Sequence, residues 1–313
     1  MSLRIVFFGT PAFAVPTLRR LLSSPHQLVA VVTQPDRPRG RGQHVTFSPI
    51  KEVAVAAGVP VLQPERLKVP EFSEPFRALD PDLAVVAAYG RIIPAAVLEI
   101  PKHGMINVHA SILPKYRGAA PVHRAVMAGE TETGVSLMQL VCELDAGPVF
   151  DVVRTPIHPD ETSSDVEARL AELGAELCLK TVADIAAGRA VAVPQDAPDA
   201  TYAPRITKEE GAIDWTLPAR VIHNRVRGLY PWPHASTSAA GARVLVMKTA
   251  ISSDPVPPRI PPGTTFRASG DQLLVATGDG ALQILQLQPE GRRAMSAREF
   301  LAGRHLTAGF RFA

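Results

Sequence analysis

Apolar runs punctuated by glycine and proline open the chain. Residues 4–8, Arg-Ile-Val-Phe-Phe, form a continuous β-prone run that Gly9-Thr10-Pro11 ends. Behind it Val15, Leu18, Leu21 and Leu22 keep the spacing of one helix face, which predicts a helix there. Residues 28–33, 83–88 and 104–108 are further apolar strands, and 50–57 is a helical stretch between two of them. Strands that are apolar throughout, not alternating, and separated by helices predict a parallel sheet covered on both faces. The implied architecture is α/β: a doubly wound, mostly parallel, Rossmann-like sheet, whose ligands bind beyond the carboxyl ends of the strands.

A later helix is predicted from Ser164 and Glu167, spaced as a capping box, with Val166, Leu170, Leu173 and Leu177 on one face. It closes a first domain over 1–188. Residues 189–204, rich in Ala, Pro and Asp, read as a linker, leaving 205–313 as a second domain. There 217–229 looks helical. Short β-prone runs at 244–248, 273–277 and 282–287, separated by Gly, Pro and Ser, suggest a small β-barrel.

A length of 313 residues suits two cores. Nothing at the start resembles a signal peptide, and no apolar run is long enough to span a bilayer, so a cytoplasmic protein without membrane contact is expected. Cys142 and Cys178 show no metal or disulfide spacing and are expected as reduced core residues. Residues 205–313 carry 14 Lys+Arg against 8 Asp+Glu, leaving 19 against 22 for the rest. A basic C-terminal third on a mildly acidic body fits a polyanionic partner, and also an ordinary soluble surface.

The densest chemistry lies in "MINVHASILPKYRGAAP", 105–121. Asn107 and His109 are two apart at the end of an apolar strand, so they share a face. An Asn can donate to a carbonyl oxygen and a His can move a proton near neutral pH. By spacing alone the pair fits equally a turn-capping Asn beside a satisfied loop His. A carboxylate to orient the imidazole is available at Asp145, in a Leu-Asp-Ala-Gly-Pro turn, with Glu143 as the nearest rival. Ser111 lacks the Gly-x-Ser-x-Gly elbow of a nucleophile, and the histidines show no metal spacing. Gly9-Thr10-Pro11 is no dinucleotide fingerprint. "QPDRPRGRGQ" is no phosphate loop of the Gly-Lys-Ser/Thr kind, but its Arg37, Arg39 and Arg41 suggest anion contact from an exposed loop.

Eight stretches in order, "RIVFFGTPAFA", "TQPDRPRGRG", "NVHASILPKYRGAAP", "ETGVSLMQL", "LDAGPV", "YAPRITKEEGAIDW", "GLYPWPHA" and "QPEGRRAMSAREFLAG", resemble the folate-dependent formyltransferases along nearly the whole chain. The resemblance implies formyl transfer from 10-formyltetrahydrofolate, without a metal, to the α-amino group of methionine on initiator Met-tRNA, by a monomer. It assigns Asn107 to the formyl oxygen, His109 to proton transfer and Asp145 to orienting His109. Ser111, Ile112, Leu113 and Pro114 would border the folate. Arg37, Arg39, Arg41, Arg205 and Lys208 would contact the substrate, and the second domain would be an OB-like tRNA-binding barrel. Arg205 stands where the family usually has Lys, keeping the charge but not the geometry. Glycinamide ribonucleotide formyltransferases share the set but end after the first domain. Formyltetrahydrofolate hydrolases, sugar-nucleotide formyltransferases and a non-catalytic tRNA-binding module are the alternatives.

Overall fold

The computed structural model describes residues 2–39, 44–303 and 306–313, which cluster into two units. The first comprises Met1–Pro121, Glu132–Thr155 and Glu167–Pro204. In chain order its elements are β1 (Arg4–Gly9), α1 (Val15–Leu22), β2 (Gln27–Val32), β3 (Arg37–Arg39), β4 (His44–Thr46), α2 (Pro49–Ala56), β5 (Val61–Leu62), α3 (Pro70–Ala78), β6 (Leu83–Ala87), α4 (Ala95–Leu98), β7 (Met105–His109) and β8 (Arg117–Gly118). After α5 (Pro121–Ala128), which falls mostly in the second unit, come β9 (Glu132–Gln139), β10 (Val149–Pro156), α6 (Ser163–Ala186) and β11 (Tyr202–Ala203).

Seven strands form one sheet in the order β10-β9-β7-β6-β1-β2-β5. The pairs β1–β2, β2–β5, β1–β6 and β6–β7 are parallel, as the apolar runs predict. From β1 the chain builds outward to β5, then crosses back to β6. The strand order therefore reverses between β1 and β6, the point where open α/β sheets bind ligands. Next to β7 the pattern changes, because β9 pairs with it antiparallel, Asn107 opposite Met138 and His109 opposite Ser136. On one face of the sheet, Phe8 meets Phe76 and Tyr89 edge to face, with ring centroids 5.6 and 5.4 Å apart.

Three local expectations change. The capping box of α6 uses Thr162 and Asp165, not Ser164 and Glu167. Thr162 N–H donates to Asp165 Oδ2 at 2.9 Å, and Asp165 N–H returns to Thr162 Oγ1 at 3.3 Å. The helix starts at Ser163, so Ser164 already lies inside its first turn. Cys178 is buried in α6, which pushes its thiol up to about 12, but Cys142 is exposed. It follows the end of β9 at Gln139, in the loop where the chain turns outward. Residues 37–39 of the arginine-rich segment pair antiparallel with 44–46, so this part of the expected loop is a strand. Its start is fixed by Lys51, which bonds Asp36 and donates to Gln63 Oε1 at 2.8 Å, while Gln63 donates to Asp36 Oδ1 at 3.0 Å. The Lys51 ammonium holds the Asp36 carboxyl below the usual carboxylate range.

The second unit comprises Val122–Thr131, Pro156–Val166 and Arg205–Ala313. It contains α7 (Ala219–Gly228), β12 (Ala235–Ala239), β13 (Ala242–Ser252), β14 (Thr265–Ser269), β15 (Gln272–Ala276), β16 (Ala281–Pro289), β17 (Met295–Ser296) and α8 (Ala297–Ala302). The strands make an antiparallel sheet, β12-β13-β16-β15-β14, with β17 on β16. Trp215, Ile222, Val226, Val246, Ile284 and Phe300 fill its core.

Candidate active site

β7 reads Met-Ile-Asn-Val-His, and strand alternation puts Asn107 and His109 on the face opposite Val108. Val108 packs against α6 at Gly174, where a Cβ would stand 2.7 Å from Val108 Cγ1. The polar pair thus ends a strand whose other face is locked into the core. Among the described residues the Asn107 amide has no hydrogen-bond partner, so its two N–H groups are available to a substrate. His109 is 5% exposed. Its Nε2 lies 3.0 Å from the Tyr116 carbonyl oxygen, which only accepts, so the ring proton sits on Nε2 in the neutral form. Tyr116 holds a positive φ of 61°, and its N–H is tied to Thr201 Oγ1 at 2.9 Å.

The other ring nitrogen faces Asp145. Nδ1 to Oδ2 is 3.7 Å, beyond hydrogen-bond length but within ion-pair range of the ring when it is protonated, at a carboxylate only 9% exposed. Asp145 Oδ2 accepts the Gly118 N–H at 2.8 Å. Gly118 has a φ of 122° and a Cβ there would stand 2.8 Å from Ala203 O, so glycine is needed on both counts. Gly147 is needed for close approach alone. The turn folds back so tightly on β9 that a Cβ would lie 1.8 Å from Gln139 O. Glu143, the rival carboxylate, is exposed.

The segment after β7 is pinned from β9. Ser136 Oγ donates to Ser111 O at 2.8 Å and accepts Leu113 N–H at 3.0 Å, and Ser111 Oγ donates to Lys115 O at 2.6 Å. Ser111, Ile112, Leu113 and Pro114 therefore form a fixed wall directly beyond His109. Arg37 and Arg39 belong to β3, in the separate two-stranded β3–β4 sheet. Arg41 lies outside the described residues. Arg205 and Lys208 belong to the second unit, where both are exposed and Lys208 precedes the 3-10 turn Glu209–Gly211. Ser136, Gly118 and Gln195, which meets the Asp145 turn, were not singled out in the sequence. No local pattern marks them, since their partners are 23 to 50 residues away.

Residues 3–182 match the family described as "Formyl transferase", and 205–305 match "Formyl transferase, C-terminal domain". A curated protein of Methylococcus capsulatus named methionyl-tRNA formyltransferase is 48% identical over 309 residues, 99% of each chain. One of the same name from Trichlorobacter lovleyi is 47% identical over 98% of this chain and 96% of its own. The chain belongs to the methionyl-tRNA formyltransferase family. Methionyl-tRNA formyltransferases share a wider fold. The crystal structure of WlaRD, described as a sugar 3N-formyl transferase in the presence of dTDP and 5-N-formyl-THF, superposes with a TM-score of 0.68 at 17% identity over 94% of this chain and all of its own. At that identity the likeness extends to the fold alone. Identity of 47–48% along essentially the whole chain, against 17% for the sugar formyltransferase of the same fold, places the chain with the methionyl-tRNA formyltransferases.

Proposed function

We propose that the chain transfers the formyl group of 10-formyltetrahydrofolate to the α-amino group of methionine on initiator Met-tRNA, giving formyl-Met-tRNA for translation initiation. The observation that supports the chemistry is His109 facing Asp145 at the carboxyl end of β7, with Asn107 two residues back on the same strand face. The donor supplies an activated one-carbon unit whose carbonyl carbon is open to the neutral amine. The unpartnered Asn107 amide fits a carbonyl oxygen and donates where negative charge develops on it. Once the Tyr116 carbonyl is exchanged for substrate, the neutral ring carries its proton on Nδ1, facing Asp145, and the Nε2 lone pair takes the amine proton and delivers it to the departing folate nitrogen. The charge this places on the ring faces Asp145 Oδ2. No covalent bond to the chain is required, and alignment of amine and donor supplies much of the rate.

Ser111 to Pro114 border the donor in this reading. Arg37, Arg39 and Arg41 contact the tRNA, with Arg205 and Lys208 as contacts from the second unit. Residues 1–188 act as the catalytic domain, 189–204 join it to the next, and 205–313, an OB-like scaffold with excess positive charge, bind tRNA. The chain works as a monomer in the cytoplasm. Among the described residues no helix is long and apolar enough to cross a membrane. Hydrolase, sugar-nucleotide and non-catalytic readings are not favoured, because the relatives of this name align along essentially the whole chain. The test is mass-spectrometric detection of formyl-methionine on initiator tRNA after incubation with 10-formyltetrahydrofolate. Donor turnover that proceeds equally without Met-tRNA would assign water as the acceptor.

A further inference from the structure

Asp145 occupies left-handed backbone, φ 47°, uncommon for a residue other than glycine, and a second segment of the chain grips it there. What holds it comes from a distant part of the chain. Gln195 Nε2 donates to the Asp145 carbonyl oxygen at 2.8 Å and to the Gly147 carbonyl oxygen at 2.7 Å, gripping both sides of the turn. Its Oε1 accepts from the buried Arg117 guanidinium twice, from Nε at 3.1 Å and Nη2 at 2.8 Å. A primary amide has two donors and two acceptor sites, so every hydrogen-bonding capacity of Gln195 is used. The opposite amide orientation would set its oxygen against two carbonyls and its NH₂ against a cation, so only one orientation fits. No other side chain of that length offers the same set. Glu lacks the donors, Lys the acceptors, and Asn is one methylene short.

Gln195 is itself anchored. Val193 and Val149 exchange backbone hydrogen bonds at 2.8 and 2.9 Å, and β11 pairs with β8, next to Tyr116. The strand of chain from Val193 to Ala203 thus touches both halves of the centre. Gln195 holds the turn of Asp145, and Thr201 holds the residue whose carbonyl meets His109.

We propose that Gln195 is a positioning residue for formyl transfer, acting through Asp145 by clamping the 145–147 turn so that its carboxylate is presented to His109. This rests on the reading of the centre given above. The test is a double-mutant cycle in the full-length chain. Gln195→Met, which keeps length and removes every hydrogen bond, should lower kcat about 10- to 100-fold, with KM for donor and Met-tRNA within about threefold. Gln195→Glu keeps the acceptor for Arg117 and loses both donors to the turn. It should show a comparable loss, and it serves where Gln195→Met does not fold. If Gln195 works through Asp145, Gln195→Met should cost no more than about twofold in an Asp145→Asn background, because sites acting as a unit are not additive. Near wild-type kcat in both Gln195 variants would overturn the proposal, as would the same fold-loss in the Asp145→Asn background as alone. Wild-type kcat in Asp145→Asn itself would overturn the reading of the centre on which the proposal rests. Failure of the unaltered chain to formylate Met-tRNA would overturn the proposed acceptor and leave the clamp to be read from donor turnover in the same cycle.

Discussion

His109 has one ring nitrogen on a backbone carbonyl and the other beside a carboxylate, so the doubly protonated ring has an acceptor facing each N–H. Neither Tyr116 nor Asp145 is in a relaxed conformation, with φ of 61° and 47°. Each such residue costs on the order of 1 kcal/mol or more, which the surrounding bonds offset. The charge-assisted Gly118 N–H bond to Asp145 is one of them. His109→Ala removes the ring without disturbing Ser111 to Pro114, which are held from Ser136. It should lower kcat by roughly 10²–10⁴, the usual effect of a positioned acid/base, with little change in donor binding. Steady-state kinetics beside calorimetric donor titration checks this, and near-normal turnover would remove His109 from the reaction.

At the scale of elements, the polar end of β7 depends on how α6 packs behind it. Gly174 sits mid-helix, where Ala is ordinarily favoured by up to about 1 kcal/mol. Here the added Cβ would approach Val108 Cγ1 to 2.7 Å and Val135 Cγ1 to 3.3 Å. Both neighbours are stiff β-branched side chains on strands β7 and β9. Overpacking of this kind costs roughly 1–3 kcal/mol. Gly174→Ala should therefore lower the urea midpoint despite the better helix former, and reduce kcat by shifting Asn107 and His109. A raised midpoint would show that helix and sheet can part without loss.

Across the whole molecule, burial holds histidines of both units, His26 in the first among them, out of their charged form. His123, His223 and His234, all in the second unit, are held below the ordinary imidazole value of 6.5, in each case first by burial. His223 shows why. Its Nε2 meets Pro159 O at 3.2 Å and its Nδ1 meets Thr249 Oγ1 at 3.0 Å, a pair of bonds the neutral ring satisfies fully. The folded unit binds fewer protons than the unfolded chain, so this stability is complete above pH 6.5 and is lost as pH falls through the lowered values. Glu167 of the first unit is raised by burial and acts in the opposite sense, losing stability as pH rises through its raised value. Amides of α7 should thus lose protection between pH 7.5 and 5.5 after correction for intrinsic exchange rates. Unchanged protection would contradict the assignment. The excess charge of 205–313 makes a second prediction: from 50 to 200 mM salt, KM for Met-tRNA should rise by roughly tenfold, the loss about two phosphate contacts give, with donor KM nearly constant. A flat response would place tRNA recognition elsewhere.

By itself the sequence determined the elements and the chemical types. The apolar runs dictate parallel strands, because a strand covered on both faces has no polar position to spare. Asn107 and His109 stood out because they break such a run, and Asp145 because it lies in a glycine-containing turn. Both signals are local. Only tertiary structure decided that β9 returns antiparallel to β7, that Gly118 donates to Asp145, that Ser136 pins the wall after His109, and that Gln195 holds the Asp145 turn. These bonds join residues far apart along the chain, and a side chain's spare donor has no signature until folding brings its acceptor within 3 Å. Residues 189–204 make the difference plain. Their composition is that of a linker, but their backbone bonds to β8 and to Val149, and the Gln195 side chain on the turn of Asp145, place them in the first unit.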